Sequence, residues 1–105
     1  MLLKIDNKEI TLKYTLRGYM IFEQVTNHSF NGVGMSDFVI LFYSMLMASD
    51  KELTITFDDF IDYLDENPQL MGEFSEWISA NIAKQTKLSP EKEVAEPKEV
   101  DSKNL

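Results

Sequence analysis

DFVILFYSMLMA, residues Asp37 to Ala48, decides how the rest of the chain must be arranged. Between Phe38 and Met47 its only polar residue is Ser44. A helix that is apolar all round lies either in a core or in a membrane. A membrane span needs about 20 such residues. This run is far shorter and is closed by Asp37 and Asp50. It therefore reads as a central buried helix over 37–49. Two readings stay open: the helix is core throughout, or one side is uncovered in the monomer and meets a partner.

Working outward toward the N-terminus, Leu3 and Ile5 alternate with polar residues, as do Ile10, Leu12 and Tyr14. That period of two predicts a β-hairpin over 2–14, turning at Asn7-Lys8 because Asn tolerates the left-handed conformation a tight turn needs. A lone hairpin is marginal in water, so its apolar face must lie on a helix. Thr15 reads as the N-cap of a first helix over 16–26. Gly18, Ile21, Phe22 and Val25 share one face, and Leu16, Tyr19 and Met20 widen it. Asn27 to Gly34 is the loop, and Ser36 or Asp37 is the expected cap of the central helix.

Toward the C-terminus, Thr56 with Asp59 three residues on resembles a capping box and opens a helix over 57–66. Phe57, Phe60, Ile61 and Leu64 form its expected buried face, and Asp58, Asp59, Asp62, Asp65 and Glu66 its wet face. Asn67-Pro68 restarts the chain, with Asn67 as cap and Pro68 at the first helical position. The last helix reads over 68–85, with Leu70, Met71, Phe74, Trp77, Ile78 and Ile82 repeating at three and four. From Lys87 to Leu105 the periodicity stops. Glu, Lys and Val alternate between Pro90 and Pro97 without an aromatic residue, the composition of a disordered tail. The expected organisation is one domain over 1–86 followed by a charged tail over 87–105. The fold class is α+β, mostly α: an N-terminal hairpin packed on about four helices.

Composition narrows function. The chain has 105 residues, no cysteine and a formal net charge of -8. Without cysteine there is neither a disulfide framework nor a thiolate metal site. Lys4, Asp6 and Lys8 follow Met1-Leu2-Leu3 at once, unlike a signal peptide, which favours an intracellular setting. The acidic balance argues against nucleic acid, whose binding depends on Lys and Arg displacing counterions.

Candidate chemistry is sparse. An EF-hand register placing Asp59 at loop position 12 puts Ala48 at position 1 and Leu53 at position 6, where the loop needs an acid and a glycine. No calcium site is expected. Asp58, Asp62 and Glu66 neighbour one another on a wet helix face, where water keeps their pKa values similar rather than driving them apart for acid–base work. His28 is the only histidine, in a loop with no second ligand, and Ser29 has no partner pattern for nucleophilic catalysis. Gly32-Val33-Gly34 lacks the further Gly and Lys of a phosphate loop. No catalytic, cofactor or metal site is expected, and the chain reads as non-enzymatic. What remains is an abundance of aromatic residues and six Met, the adaptable residue of surfaces that bind apolar helices.

Three stretches together resemble the tail assembly chaperones of long-tailed bacteriophages and prophages. They are KYTLRGYMIFEQVTNHSF (Lys13 to Phe30), DFVILFYSMLMAS (Asp37 to Ser49) and LTITFDDFIDYLDENPQLMGEFSEWI (Leu53 to Ile78). The resemblance lies in the order of elements: short hairpin, aromatic-rich helix, apolar helix, threonine-capped acidic helix ending at Asn-Pro, and a last helix carrying Trp. The tail from Lys87 lies outside it. The resemblance implies a cytoplasmic protein of the bacterial host that coats the long, apolar, helical tape-measure protein until the tail tube polymerises. Such a protein is then absent from the mature virion. In that family a frameshifted extension helps recruit major tail tube protein. The contact residues expected here are the outer side of the central helix, Phe38, Phe42 and Met45, with Tyr19 and Trp77 as neighbours. An apolar groove of this kind can also satisfy itself in a homo-oligomer. The rival reading is an acidic adaptor or regulator that sequesters a basic partner; a calcium-switched sensor and an enzyme stand behind it.

Overall fold

The computed structural model describes residues 1–88, with side chains through 85. Its order is β1 (Leu2–Ile5), β2 (Lys8–Thr11), α1 (Leu16–Thr26), α2 (Met35–Ser49), α3 (Phe57–Glu66) and α4 (Gln69–Leu88). This is the α+β, mostly helical architecture that the patterning predicts. The last helix runs past the expected boundary at 86, and of the tail expected over 87–105 residues 89–105 lie outside the described residues.

The strands are antiparallel, with Leu3 opposite Ile10 and Ile5 opposite Lys8. The turn is therefore Asp6-Asn7, one residue earlier than expected. Both turn residues have positive φ, 53° and 65°, as the type I′ geometry that matches strand twist requires. The strands end at Thr11 rather than Tyr14, although the Leu12 amide still donates to the Met1 carbonyl at 2.7 Å. Leu3, Ile5, Ile10 and Leu12 are all buried on the helix-facing side. Two ties hold the hairpin against the end of α2. The Lys13 amide donates to Ser49 Oγ at 2.8 Å, and Lys8 Nζ lies 2.8 Å from the Asp50 carboxylate.

The Thr15 hydroxyl caps α1 by accepting from the Gly18 amide at 3.1 Å, and Asn27 ends it in the left-handed conformation. Gly18 and Phe22 are buried against α2, α1's most extensive contact. Val25, on the edge of that stripe, is exposed instead of buried. α2 begins at Met35, two residues before the expected start. Gly34 is its N-cap, so neither Ser36 nor Asp37 caps it. Leu41, Phe42, Met45 and Leu46 of α2 are fully buried; Ser44, also buried, donates to the Ile40 carbonyl at 2.7 Å, which satisfies its hydroxyl.

Thr56 caps α3 as predicted, accepting from the Asp59 amide at 3.1 Å. Phe60 and Leu64 face the core. Asn67 turns its side chain back to the Tyr63 carbonyl (2.9 Å), so it closes α3 instead of capping α4, and Pro68 lies in the turn before α4 begins. Leu70, Phe74 and Ile78 bury the stripe of α4. The core is joined by rings: Phe42 stacks on Phe74 at 4.3 Å between centroids and meets Phe60 edge-on at 5.1 Å. One side chain of α2 thus touches both α3 and α4.

Candidate functional site

An apolar helix gives no direction to its own faces; its neighbours do. α1 approaches α2 at Gly18, where a methyl group would overlap the Met45 sulfur and lie 3.1 Å from two of its carbons. α4 approaches on the side of Phe42. Those contacts turn the side carrying Phe42 and Met45 inward, with both residues 0 % exposed. Neither can touch a partner while the helices stay packed. Phe38 is half-buried, edge-on to Phe30 at 5.2 Å.

Tyr19 and Trp77 lie elsewhere, brought together through Tyr14. The rings of Tyr19 and Trp77 stand edge-on to Tyr14 at 5.6 and 6.0 Å. The Tyr14 and Tyr19 hydroxyls are 3.0 Å apart, and burial with that hydrogen bond holds the Tyr19 phenol well above its usual range. Both Tyr19 and Trp77 are half-buried. The five residues expected to contact a partner therefore do not form one surface.

The open side of α2 lies against α3. Met35, Ser36, Val39 and Ile40 of α2 with Phe57 and Ile61 of α3 line a groove of about 240 Å³. Ser36 is its only polar side chain. Met35 is 70 % exposed and Phe57 38 % exposed at its lip, while Val39, Ile40 and Ile61 are half-buried. Sequence reasoning missed this set because it started the helix after Met35 and placed Phe57 and Ile61 in the core. The available signal was Gly18: a small residue on the packed face of α1 marks where α2 is covered, and hence which side is left open.

Other hollows lie on the body, among them one on α1 and one beside the hairpin turn. Leu16, Arg17, Met20, Ile21 and Gln24 form a shallow one of about 230 Å³ on α1, where Leu16 is 75 % and Met20 53 % exposed. Between the hairpin turn and α3, a hollow of about 380 Å³ has Ile5 and Tyr63 in its wall and the carboxylates of Asp6, Asp59, Asp62 and Glu66 around it. Among the described residues, no three or more His, Cys, Asp or Glu side chains converge as a metal site would need. Asp50, at position 3 of the EF-hand register, instead accepts from the Glu52 amide at 3.0 Å and from Lys8. Those bonds lower its pKa, and the same contact raises that of Lys8.

His28 is not a bare loop residue. Its Nε2 lies 2.8 Å from Asp37 Oδ2 in the first turn of α2, and its Nδ1 lies 3.2 Å from the Thr26 carbonyl. Both partners are acceptors, so the doubly protonated ring satisfies both at once. The Asp37 contact accordingly raises the His28 pKa. This link fixes the loop leading to Met35, at the end of the α2–α3 groove.

Among the described residues, no helix is long and apolar enough to cross a membrane. Comparison with protein-family models, curated proteins and solved structures found no match to this chain.

Proposed function

We propose that this chain is a non-enzymatic assembly chaperone of a phage tail, which holds the tape-measure protein soluble before the tail tube polymerises. The observation that carries the reading is the α2–α3 groove: an apolar slot left open beside the central helix of an otherwise acidic body. Helix-in-groove binding needs such a slot, and burial of apolar area drives it. The order of elements, from hairpin to Trp-bearing helix, supports the same reading through the resemblance carried by Lys13 to Ile78. On this reading the protein acts in the host cytoplasm, is left out of the mature virion, and has the major tail tube protein as a further partner.

The test is co-expression with the long apolar-helical protein encoded immediately downstream, followed by co-purification at moderate and high salt. The proposal requires that this protein be insoluble alone and soluble in a salt-resistant complex. Absence of a complex, or of such a neighbour, rejects it.

One observation favours the rival reading of an acidic adaptor for a basic partner: the hollow ringed by Asp6, Asp59, Asp62 and Glu66. A complex held by those charges would weaken steeply as salt rises, whereas apolar holding would survive.

A further inference from the structure

We propose that the α2–α3 groove selects an amphipathic helix whose apolar anchors are flanked by Lys or Arg. This rests on the holding reading above and adds the charge of the segment held. The groove wall is apolar except for Ser36, and no Lys or Arg lines it. Its rim on α3 is acidic. Asp58 follows Phe57 directly, and Asp65 stands one turn beyond Ile61 on the same side of the helix. Both carboxylates are exposed. The one carboxylate of the first turn of α2, Asp37, is already met by His28. Nothing in the groove therefore neutralises the rim of α3, and a cation on the incoming helix would.

The same charges argue against a second copy as occupant. Each copy carries a formal charge of -8, so an isologous contact through this groove would set acidic rim against acidic rim. The hollow on α1 differs in kind, because Arg17 lines it. Selection by a basic flank belongs to the α2–α3 groove alone of the two.

The test uses the full chain and two synthetic helices with an identical Leu/Phe face, one flanked by Lys and the other by Glu. Binding is read by fluorescence anisotropy at about 50 mM and about 500 mM salt. The Lys-flanked helix is expected to bind roughly ten-fold tighter at low salt, with the ratio narrowing at high salt as charge is screened. Asp58→Lys with Asp65→Lys, both on exposed positions, should reverse the preference. Met35→Asp and Ile61→Asp should weaken both helices. Met35 is 70 % exposed, so its variant keeps the test valid if Ile61→Asp fails to fold. Equal binding of the two helices overturns the proposal, as does unchanged affinity in Met35→Asp. So does a dimer that Met35→Asp dissociates, or groove resonances that shift when residues 89–105 are removed, since each names another occupant. If the downstream client stays soluble with Met35→Asp and Ile61→Asp, this groove is rejected while the holding reading stands. If wild type holds neither client nor helix, both fail.

Discussion

Replacing Phe42 by Ala tests whether the central helix is core or contact surface at that position. Phe42 is 0 % exposed, stacked on Phe74 at an interplanar angle of 4° and edge-on to Phe60. Truncation leaves a cavity where α2, α3 and α4 meet, and a buried Phe→Ala change costs about 3–5 kcal/mol. A domain of this size is stable by only about 5–10 kcal/mol, so the variant should lose roughly a third of its stability or more. Phe42→Leu keeps most of the apolar volume and forfeits two aromatic pairs, about 1–3 kcal/mol in total. Urea unfolding followed by the single Trp reports the change, because Trp77 lies against Phe74 with ring centroids 5.8 Å apart. The midpoint should fall in the order wild type, Leu, Ala with an unchanged slope. A loss below about 1 kcal/mol in Phe42→Ala would refute the packing argument. It would do so most plainly if client holding were lost at the same time, for then the ring faces the partner.

The remaining expectations concern single local devices. The Asp37 contact holds the His28 pKa above that of a free imidazole, so the tie stabilises fully below the free value and is lost as pH rises through the folded pKa. The gap in unfolding midpoint between wild type and His28→Gln should shrink from about pH 5 to about pH 9, and a gap constant with pH excludes the tie. Gly18→Ala gains about 0.5–1 kcal/mol of helix propensity but overpacks Met45 at about 1–3 kcal/mol; it should destabilise, and Met45→Ala should relieve the clash in a double-mutant cycle. Asn7→Val places a β-branched residue at φ 65° and should cost about 1–2 kcal/mol, whereas Asn7→Gly should not; thermal unfolding of both variants decides it.

The hairpin shows where patterning stops. Pairing about Asn7-Lys8 sets Ile5 opposite Ile10, whereas pairing about Asp6-Asn7 sets Leu3 opposite Ile10. Both put Leu3, Ile5, Ile10 and Leu12 on one face, because the two registers differ by two residues and the side-chain period is two. Hydrophobicity cannot separate them. Backbone conformation does: Asp and Asn tolerate positive φ at both turn positions, and Lys8 does not. The amphipathic helices α3 and α4 were legible because their charges mark the wet face. Even there Asn67 was ambiguous, since one amide side chain can serve either the end of α3 or the start of α4.

α2 was legible as buried but not in its orientation. Phe38, Phe42 and Met45 recur at four and three, and so do Met35, Val39, Ile40 and Tyr43, so spacing offers two apolar stripes with no polar residue within either to choose between them. The choice comes from outside the helix. Gly18 brings α1 onto Met45, Phe74 brings α4 onto Phe42, and α3 turns Phe60 onto the same ring. Tyr43 is then taken by Phe57 and by the Ile55 carbonyl, to which its hydroxyl donates at 2.7 Å. What stays open is the end of the second stripe, Met35, Val39 and Ile40, together with Phe57 and Ile61. On the proposed function, the two readings of the central helix are not rivals but belong to different residues. Substitution at Phe42 should register in stability and substitution at Met35 in binding, and a variant pair that failed to separate these two readouts would undo that assignment.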